Sequence, residues 1–170
     1  MKNLPLGIQT FSKIIEGNCY YVDKTEYVAK LANHGTYFFL SRPRRFGKSL
    51  FLDTLKEAYE GNEALFKGLF LEKNWDWSQK YPVIKISFGG GVTQSKVDLL
   101  EKINWLLQNN LKKLGIVSES KNPSNTFADL IKNTHEKYQQ KVVILIDEYD
   151  KPILDVIDKE EVALQAREEL

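Results

Sequence analysis

The sequence predicts an α/β fold, a mostly parallel sheet flanked by helices. Three observations carry this expectation. Short apolar runs at Thr36–Leu40, Val83–Phe88 and Val142–Ile146 alternate with stretches of helical periodicity. A basic, glycine-containing turn, RPRRFGKS, lies between the first run and a helix. The third run consists of five consecutive branched or aliphatic residues ending in Asp147-Glu148, a pattern that suits a central parallel strand covered on both faces. A length of 170 residues fits one domain with room for a sizeable core.

Along the chain, MKNLPLGIQTF lacks the apolar centre of a signal peptide, and no run reaches transmembrane length. In YYVDKTEYVAKLANHG, Asp23 followed by Glu26 resembles a capping box. Tyr27, Val28 and Leu31 form a helical stripe, and Gly35 is placed for a C-cap. Thr36–Leu40 is expected as a buried strand. After the basic turn, KSLFLDTLKEAYEG forms a helix with Leu50, Phe51, Leu55 and Ala58 facing inward, closed by Gly61. Phe66, Phe70, Trp75 and Trp77 mark short helices and turns whose rings are expected as core or semi-buried anchors. Gly89-Gly90-Gly91 lacks the dinucleotide fingerprint and is expected as a flexible turn near the sheet edge.

A long amphipathic helix begins near Ser95, with Leu99, Ile103, Leu106 and Leu107 as its core stripe, Trp105 at its flank and Gly115 after it. Ser118–Asn125 reads as a loop and Phe127–Tyr138 as another helix. Pro152 suits the first turn of the segment after the third strand. The final DKEEVALQAREEL has helical character without a stop signal, which is expected of a chain cut inside a larger protein.

Composition narrows the function classes. Apolar residues make up 42% and charged residues 28%, as in an ordinary soluble globular protein, and a cytoplasmic location is the expectation. A net charge of +1 gives no global field toward nucleic acid or an anionic membrane. Cys19 is the only cysteine and fits a reducing compartment; His34 and His135 are far apart, so zinc-type spacing is absent.

The chemistry concentrates in two places. A bound phosphate needs backbone N–H groups curled around it, an ammonium beside its outer oxygens and a hydroxyl for magnesium. Gly47 lets the backbone approach, Lys48 brings the charge, Ser49 the magnesium ligand, and the helix starting there adds its dipole. Arg44, Arg45, Phe46 and Leu50 complete the candidate nucleotide-contacting positions. The general loop pattern asks for a glycine five positions before Gly47, where this chain has Arg42. Arg42, Arg44 and Arg45 admit two readings: charge-assisted contacts to phosphate, or a solvated face turned to a partner. At the other place, a strand ending in acid puts carboxylates where open α/β sheets bind ligands. Asp147 would hold magnesium, directly or through water, and Glu148 would be the general base acting on the attacking water. Asp150 reads as a helix cap before an acid behind the site. His34 looks like helix exit, and His135 lies on a polar helix face.

The segments LPLGIQTF, YYVDKTEYV, FFLSRPRRFGKSLFL, LFKGL, YPVIKISF and VVILIDEYDKPI, taken in this order, resemble the bacterial AAA-ATPase-like family of P-loop NTPases. The likeness runs from Leu4 to about Ile153. In that family an arginine-rich loop stands where other phosphate loops carry their first glycine, so Arg42 agrees with it. The resemblance carries the phosphate-loop role to Gly47, Lys48 and Ser49 and the acidic strand-end role to Asp147 and Glu148. It implies a P-loop core of which residues 1–170 are the N-terminal part, with the last strands, the phosphate sensor and any arginine finger beyond Leu170. It also implies ATP and Mg2+ as cofactors, ATP hydrolysis in the full-length protein, and a C-terminal PD-(D/E)XK nuclease-like domain. Nucleic acid would be reached only through that domain; a membrane is not implied, and an oligomer is left open. Tyr20–Thr25 is family-like too, and is placed either near the nucleotide base or, through Asp23, in helix capping.

Two other functions compete with an ATPase that switches or remodels an attached domain. One is a nucleotide-binding regulatory module with little turnover. The other is a nucleic-acid-binding module using the arginine-rich loop, which the near-neutral charge does not support. A guanine-reading Asn-Lys-x-Asp stretch is absent from the sequence, which disfavours a GTPase.

Overall fold

The structure, a computed structural model, describes residues 1–43 and 45–169. The chain divides into two compact units, Met1–Tyr81 and Pro82–Leu170.

In the first unit, helices α1 (Phe11–Glu16), α2 (Glu26–Asn33) and α3 (Lys48–Tyr59) are followed by 3-10 turns at Glu63–Phe66 and Phe70–Lys73. Large rings fill the middle. Phe66 is fully buried and stacks on Phe11 at 4.9 Å and on Trp77 at 5.0 Å, while Tyr59 meets Trp75 edge-on at 5.2 Å. Phe70 is the most open of the four at 45% exposure. Helix α3 buries Leu55 and Ala58 as expected, with Leu50 and Phe51 half-buried. It also buries polar groups that have partners. The carboxylate of Asp53 accepts from the Phe11 N–H at 2.8 Å, capping the start of α1 from 42 residues away. Thr54 donates its hydroxyl to the Leu50 carbonyl at 2.9 Å.

Two expectations change in this unit. Helix α2 takes His34 rather than Gly35 as its C-cap, and Tyr27 points outward at 47% exposure while Val28 is buried. Thr36–Leu40 is not a buried strand: the segment has no strand conformation, Tyr37 is 95% exposed and Phe39 73%. An apolar run becomes a strand only where a second strand runs alongside it, and no strand lies among the described residues of this unit.

The second unit pairs two parallel strands, β1 (Val83–Ser87) and β2 (Val143–Asp147), in a register that sets Val83 opposite Val143 and Ser87 opposite Asp147. Helix α4 (Lys96–Leu114) packs on β1 and on α5 (Pro123–Tyr138). Short helix α6 (Lys151–Leu154) and helix α7 (Glu160–Glu169) follow β2. The ends of α4 follow their residues: the Ser95 hydroxyl accepts from the Asp98 N–H at 3.2 Å, and Gly115 closes the helix in a left-handed conformation. Leu99, Leu107 and Leu130 are buried with Ile84 and Ile86 of β1.

Helix α5 starts earlier than its apolar stripe suggests. The Asn122 side chain accepts from Ser124 and Asn125 N–H groups, and Pro123 fills the first helical position, where a missing N–H costs nothing. Strand β2 is not covered on both faces. Ile144 and Ile146 are 38% and 47% exposed, while Asp147 at the same strand's end is 7% exposed. Side chains alternate across a strand, so this period-two pattern leaves one face open among the described residues.

Candidate nucleotide site

The turn expected to bind phosphate belongs to the first unit. Arg45 and Gly47 both have positive φ, 67° and 76°, and Gly47 is the N-cap of α3. A Cβ on Gly47 would meet nothing within 4 Å, so glycine serves the backbone conformation there rather than relieving crowding. Lys48 and Ser49 occupy the first helical turn and are half-buried. The Lys48 ammonium donates to the Arg42 carbonyl at 2.7 Å and to the Pro43 carbonyl at 3.5 Å. The position where the general pattern has a glycine therefore contributes its carbonyl to the lysine. Phe46 is 60% exposed and Arg45 is exposed. Arg44, a candidate phosphate contact, lies outside the described residues. Leu50 lies one position beyond Ser49 and lines an open cavity with Gly47.

The acidic strand end belongs to the second unit. Asp147 closes β2 opposite Ser87, and its carbonyl accepts the Phe88 N–H at 3.0 Å. Glu148 turns the chain with a φ of 52°, and its carboxylate lies against Gly89: a Cβ built there would approach Oε2 to 3.0 Å. Gly89 thus leaves room for the carboxylate at the end of the strand.

The glycine triplet beside it is strapped, which corrects the expectation of a flexible turn. The Lys102 ammonium, from α4, donates to the Phe88 carbonyl at 2.6 Å and also to the Gly90 carbonyl. Lys151 donates to the Gly91 carbonyl at 2.8 Å and to both Asp155 oxygens, at 2.8 and 2.7 Å. The Thr93 N–H closes the arrangement on Asp155 at 3.0 Å. Burial and the neighbouring Lys151 charge push the Lys102 pKa down, against a weaker upward pull from Asp155 and Glu148. Burial raises the Asp155 pKa, but the hydrogen bonds from Lys151 and Thr93 and the two lysine charges outweigh it, leaving the carboxyl below its ordinary range.

A match over residues 5–170 ties the chain to the AAA-ATPase-like family, described as a predicted AAA-ATPase. The chain belongs to this family. It is also 52% identical, over 99% of its length, to a protein of Azotobacter chroococcum mcd 1 named as an uncharacterized protein in the vnfD 5′ region. The chain spans about a third of the length of that curated relative (33%). No solved structure matches the chain at a significant level.

Other candidate residues of this AAA-ATPase-like chain have structural partners. Asp23 accepts from the Thr25 N–H and hydroxyl at 2.8 and 2.7 Å and from the Phe70 N–H at 2.7 Å. Burial alone would raise its pKa; these three hydrogen bonds outweigh burial and hold it below the usual aspartate value. Nδ1 of His34 hydrogen-bonds the Lys30 carbonyl at 2.7 Å, and Nδ1 of His135 the Gln140 carbonyl at 2.8 Å. Asp150 sits at the N-cap of α6, but its side chain makes no capping hydrogen bond. Among the described residues no helix is long and apolar enough to cross a membrane, and no group of three or more His, Cys, Asp or Glu side chains is gathered for a metal.

Sequence reasoning missed Lys102, Lys151 and Asp155. Lys102 is one of several lysines on an amphipathic helix, and nothing in its spacing distinguishes it. Lys151 and Asp155 form an i,i+4 pair that reads as ordinary surface charge until its carbonyl contact with Gly91 is seen.

Proposed function

We infer that the chain binds Mg-ATP and contributes to its hydrolysis, as the N-terminal part of a P-loop domain coupled to another domain or partner. The observation that carries this reading is the left-handed Gly47 opening a 12-residue helix whose first turn holds Lys48 and Ser49. Such a helix start offers backbone N–H groups and a positive dipole end to an anion. Lys48 would exchange its carbonyl partners for the outer phosphate oxygens, a stronger charge-assisted contact. Arg44, Arg45 and Phe46 flank the same turn. The Ser49 hydroxyl and Asp147 carboxylate are hard oxygen donors of the kind magnesium takes, and the ion would neutralise charge on the phosphate oxygens. Glu148 would orient the attacking water and accept its proton.

Family membership supports nucleotide binding, and the greater length of the Azotobacter relative supports a larger whole protein. In that whole protein we place the remaining strands of the P-loop domain and a nuclease-like domain, through which any contact with nucleic acid would run, with cytoplasmic location and self-association as further expectations.

Titration of Mg-ATP into the chain by calorimetry, with a parallel phosphate-release assay on the full-length protein, tests the reading. Lys48→Ala should weaken ATP binding roughly 10- to 100-fold, the value of a hydrogen bond to a charged group. Glu148→Gln should leave binding intact and slow turnover by about 100-fold or more. Unchanged ATP affinity in Lys48→Ala sinks the phosphate role. Retained binding with negligible turnover in the full-length protein would favour the regulatory module.

A further inference from the structure

Because β1 and β2 run parallel, the turns that follow them lie side by side at one end of the sheet: Phe88 to Gly91 after β1, and Glu148 to Asp150 after β2. Contacts join the two turns along their length. The Phe88 N–H donates to the Asp147 carbonyl at 3.0 Å, the Lys151 ammonium reaches the Gly91 carbonyl at 2.8 Å, and the Glu148 carboxylate packs against Gly89. Lys151 also holds the acidic turn by its backbone, donating its N–H to the Glu148 carbonyl at 3.0 Å. Glu148 needs such support. Its φ of 52° lies in the left-handed region, which a residue with a side chain adopts only where its surroundings fix it.

We propose that Lys102 and Lys151 are positioning residues for Glu148, acting through the glycine turn, an inference that rests on the reading of Glu148 as the general base. Lys102 stands on α4 between Leu99 and Leu106, both buried, so its stem starts from a fixed helix. Its ammonium donates to the Phe88 carbonyl at 2.6 Å and to the Gly90 carbonyl, the residues on either side of Gly89. A glycine triplet has wide conformational freedom. These charge-assisted bonds pin it at the residue on which the carboxylate rests, and Lys151 pins its far end. Burial and the Lys151 charge lower the Lys102 pKa while Asp155 and Glu148 pull the other way, so the Glu148 charge is felt at the ammonium as well. A general base works only within hydrogen-bond reach of the proton it takes, and a misplacement of about 1 Å can cost about 100-fold in rate. Without its lysines the glycine turn is free to move, and the carboxylate loses the wall that limits its rotation.

The test measures phosphate release by the full-length protein carrying Lys102→Met, Glu148→Gln or both. Methionine keeps most of the stem and removes the donor. Thermal melting and the calorimetric stoichiometry of Mg-ATP binding count the folded, binding-competent chains to which kcat is referred. Lys102 bonds Phe88 and Gly90, neither of which is proposed to hold phosphate or magnesium. Lys102→Met should therefore lower kcat roughly 10- to 100-fold with KM for Mg-ATP within about twofold of wild type. In the Glu148→Gln background the same substitution should change kcat by less than about twofold, because the group it positions is gone. An equal loss of kcat in both backgrounds overturns the positioning role, since the effect then does not pass through Glu148. So does an unchanged kcat in Lys102→Met, or a change confined to KM, while Glu148→Gln is slow; either result leaves the general base standing. Undiminished turnover by Glu148→Gln, or none by the wild type, overturns the general base and the positioning role together. If Lys102→Met does not fold, Lys151→Met, which frees the Gly91 carbonyl, enters the same comparison with the same outcomes.

Discussion

Two turns, one carrying candidate site residues and one beside them, are held in opposite ways. The phosphate turn of the first unit is exposed: its lysine rests on two carbonyls of its own loop, five and six residues back, and Phe46 stands in solvent. The glycine turn beside the acidic strand end of the second unit is strapped from a distance. Lys102 reaches carbonyls 12 and 14 residues away, and Lys151 one 60 residues away. A turn closed by local contacts can change partners without disturbing the fold around it, whereas a turn closed by long-range contacts is part of that fold. Under the proposed function, such a division suits a phosphate turn that must admit a ligand beside a glycine turn that packs against the Glu148 carboxylate.

Four substitutions and one titration would break or sharpen this contrast. The largest effect is expected away from both turns. Phe66→Ala removes the ring that joins Phe11 to Trp77 and should cost about 3–5 kcal/mol in urea unfolding. A loss under about 1 kcal/mol would mean that the aromatic cluster does not support the first unit. Next, Lys102→Ala should cost about 1–2 kcal/mol, since it deprives two carbonyls of a charged donor. Lys48→Ala should stay within about 0.5 kcal/mol of wild type. Equal stability losses from the two lysines would erase the distinction between the turns.

The pH dependence is a smaller effect. The Asp155 carboxyl is held below its ordinary range, so its contribution is fully present above the unfolded value of about 3.9 and is lost as pH falls through the lower folded value. Urea midpoints followed from pH 5 to pH 2 should therefore fall less steeply for Asp155→Asn than for wild type. Parallel curves would show that the strap does not depend on this charge. The smallest change in stability belongs to Gly89→Ala. The added methyl meets only the movable end of Glu148, so melting should shift by about a degree or less, within the range of surface substitutions. Turnover by the full-length protein should fall nonetheless, because the carboxylate must move aside; undisturbed turnover would argue that its observed position has no catalytic importance.

Much of the local structure is legible in the residues alone. Helix α4 announces both ends, with Ser95 able to cap its first turn and Gly115 able to adopt the left-handed close. Gly47-Lys48-Ser49 at a helix start and Asp147 at a strand end fall where their patterns place them. The misses share one cause, which is that local pattern does not reveal what lies alongside. Thr36–Leu40 has the residues of a strand, but no strand lies among the described residues of its own unit. Val142–Ile146 has the residues of a doubly covered strand, yet Ile144 and Ile146 face an open side. Asn122-Pro123 held a readable start for α5 that the later apolar stripe obscured.

What the residues decide alone is conformational and chemical. Glycine admits the left-handed turn before α3, serine and asparagine cap helices, and lysine, serine and the two acids bring the groups that nucleotide chemistry requires. Packing decides the rest, because it depends on neighbours distant in sequence. It turns a glycine triplet into a strapped loop through Lys102 and Lys151, and it draws the N-terminal arm beside Tyr20.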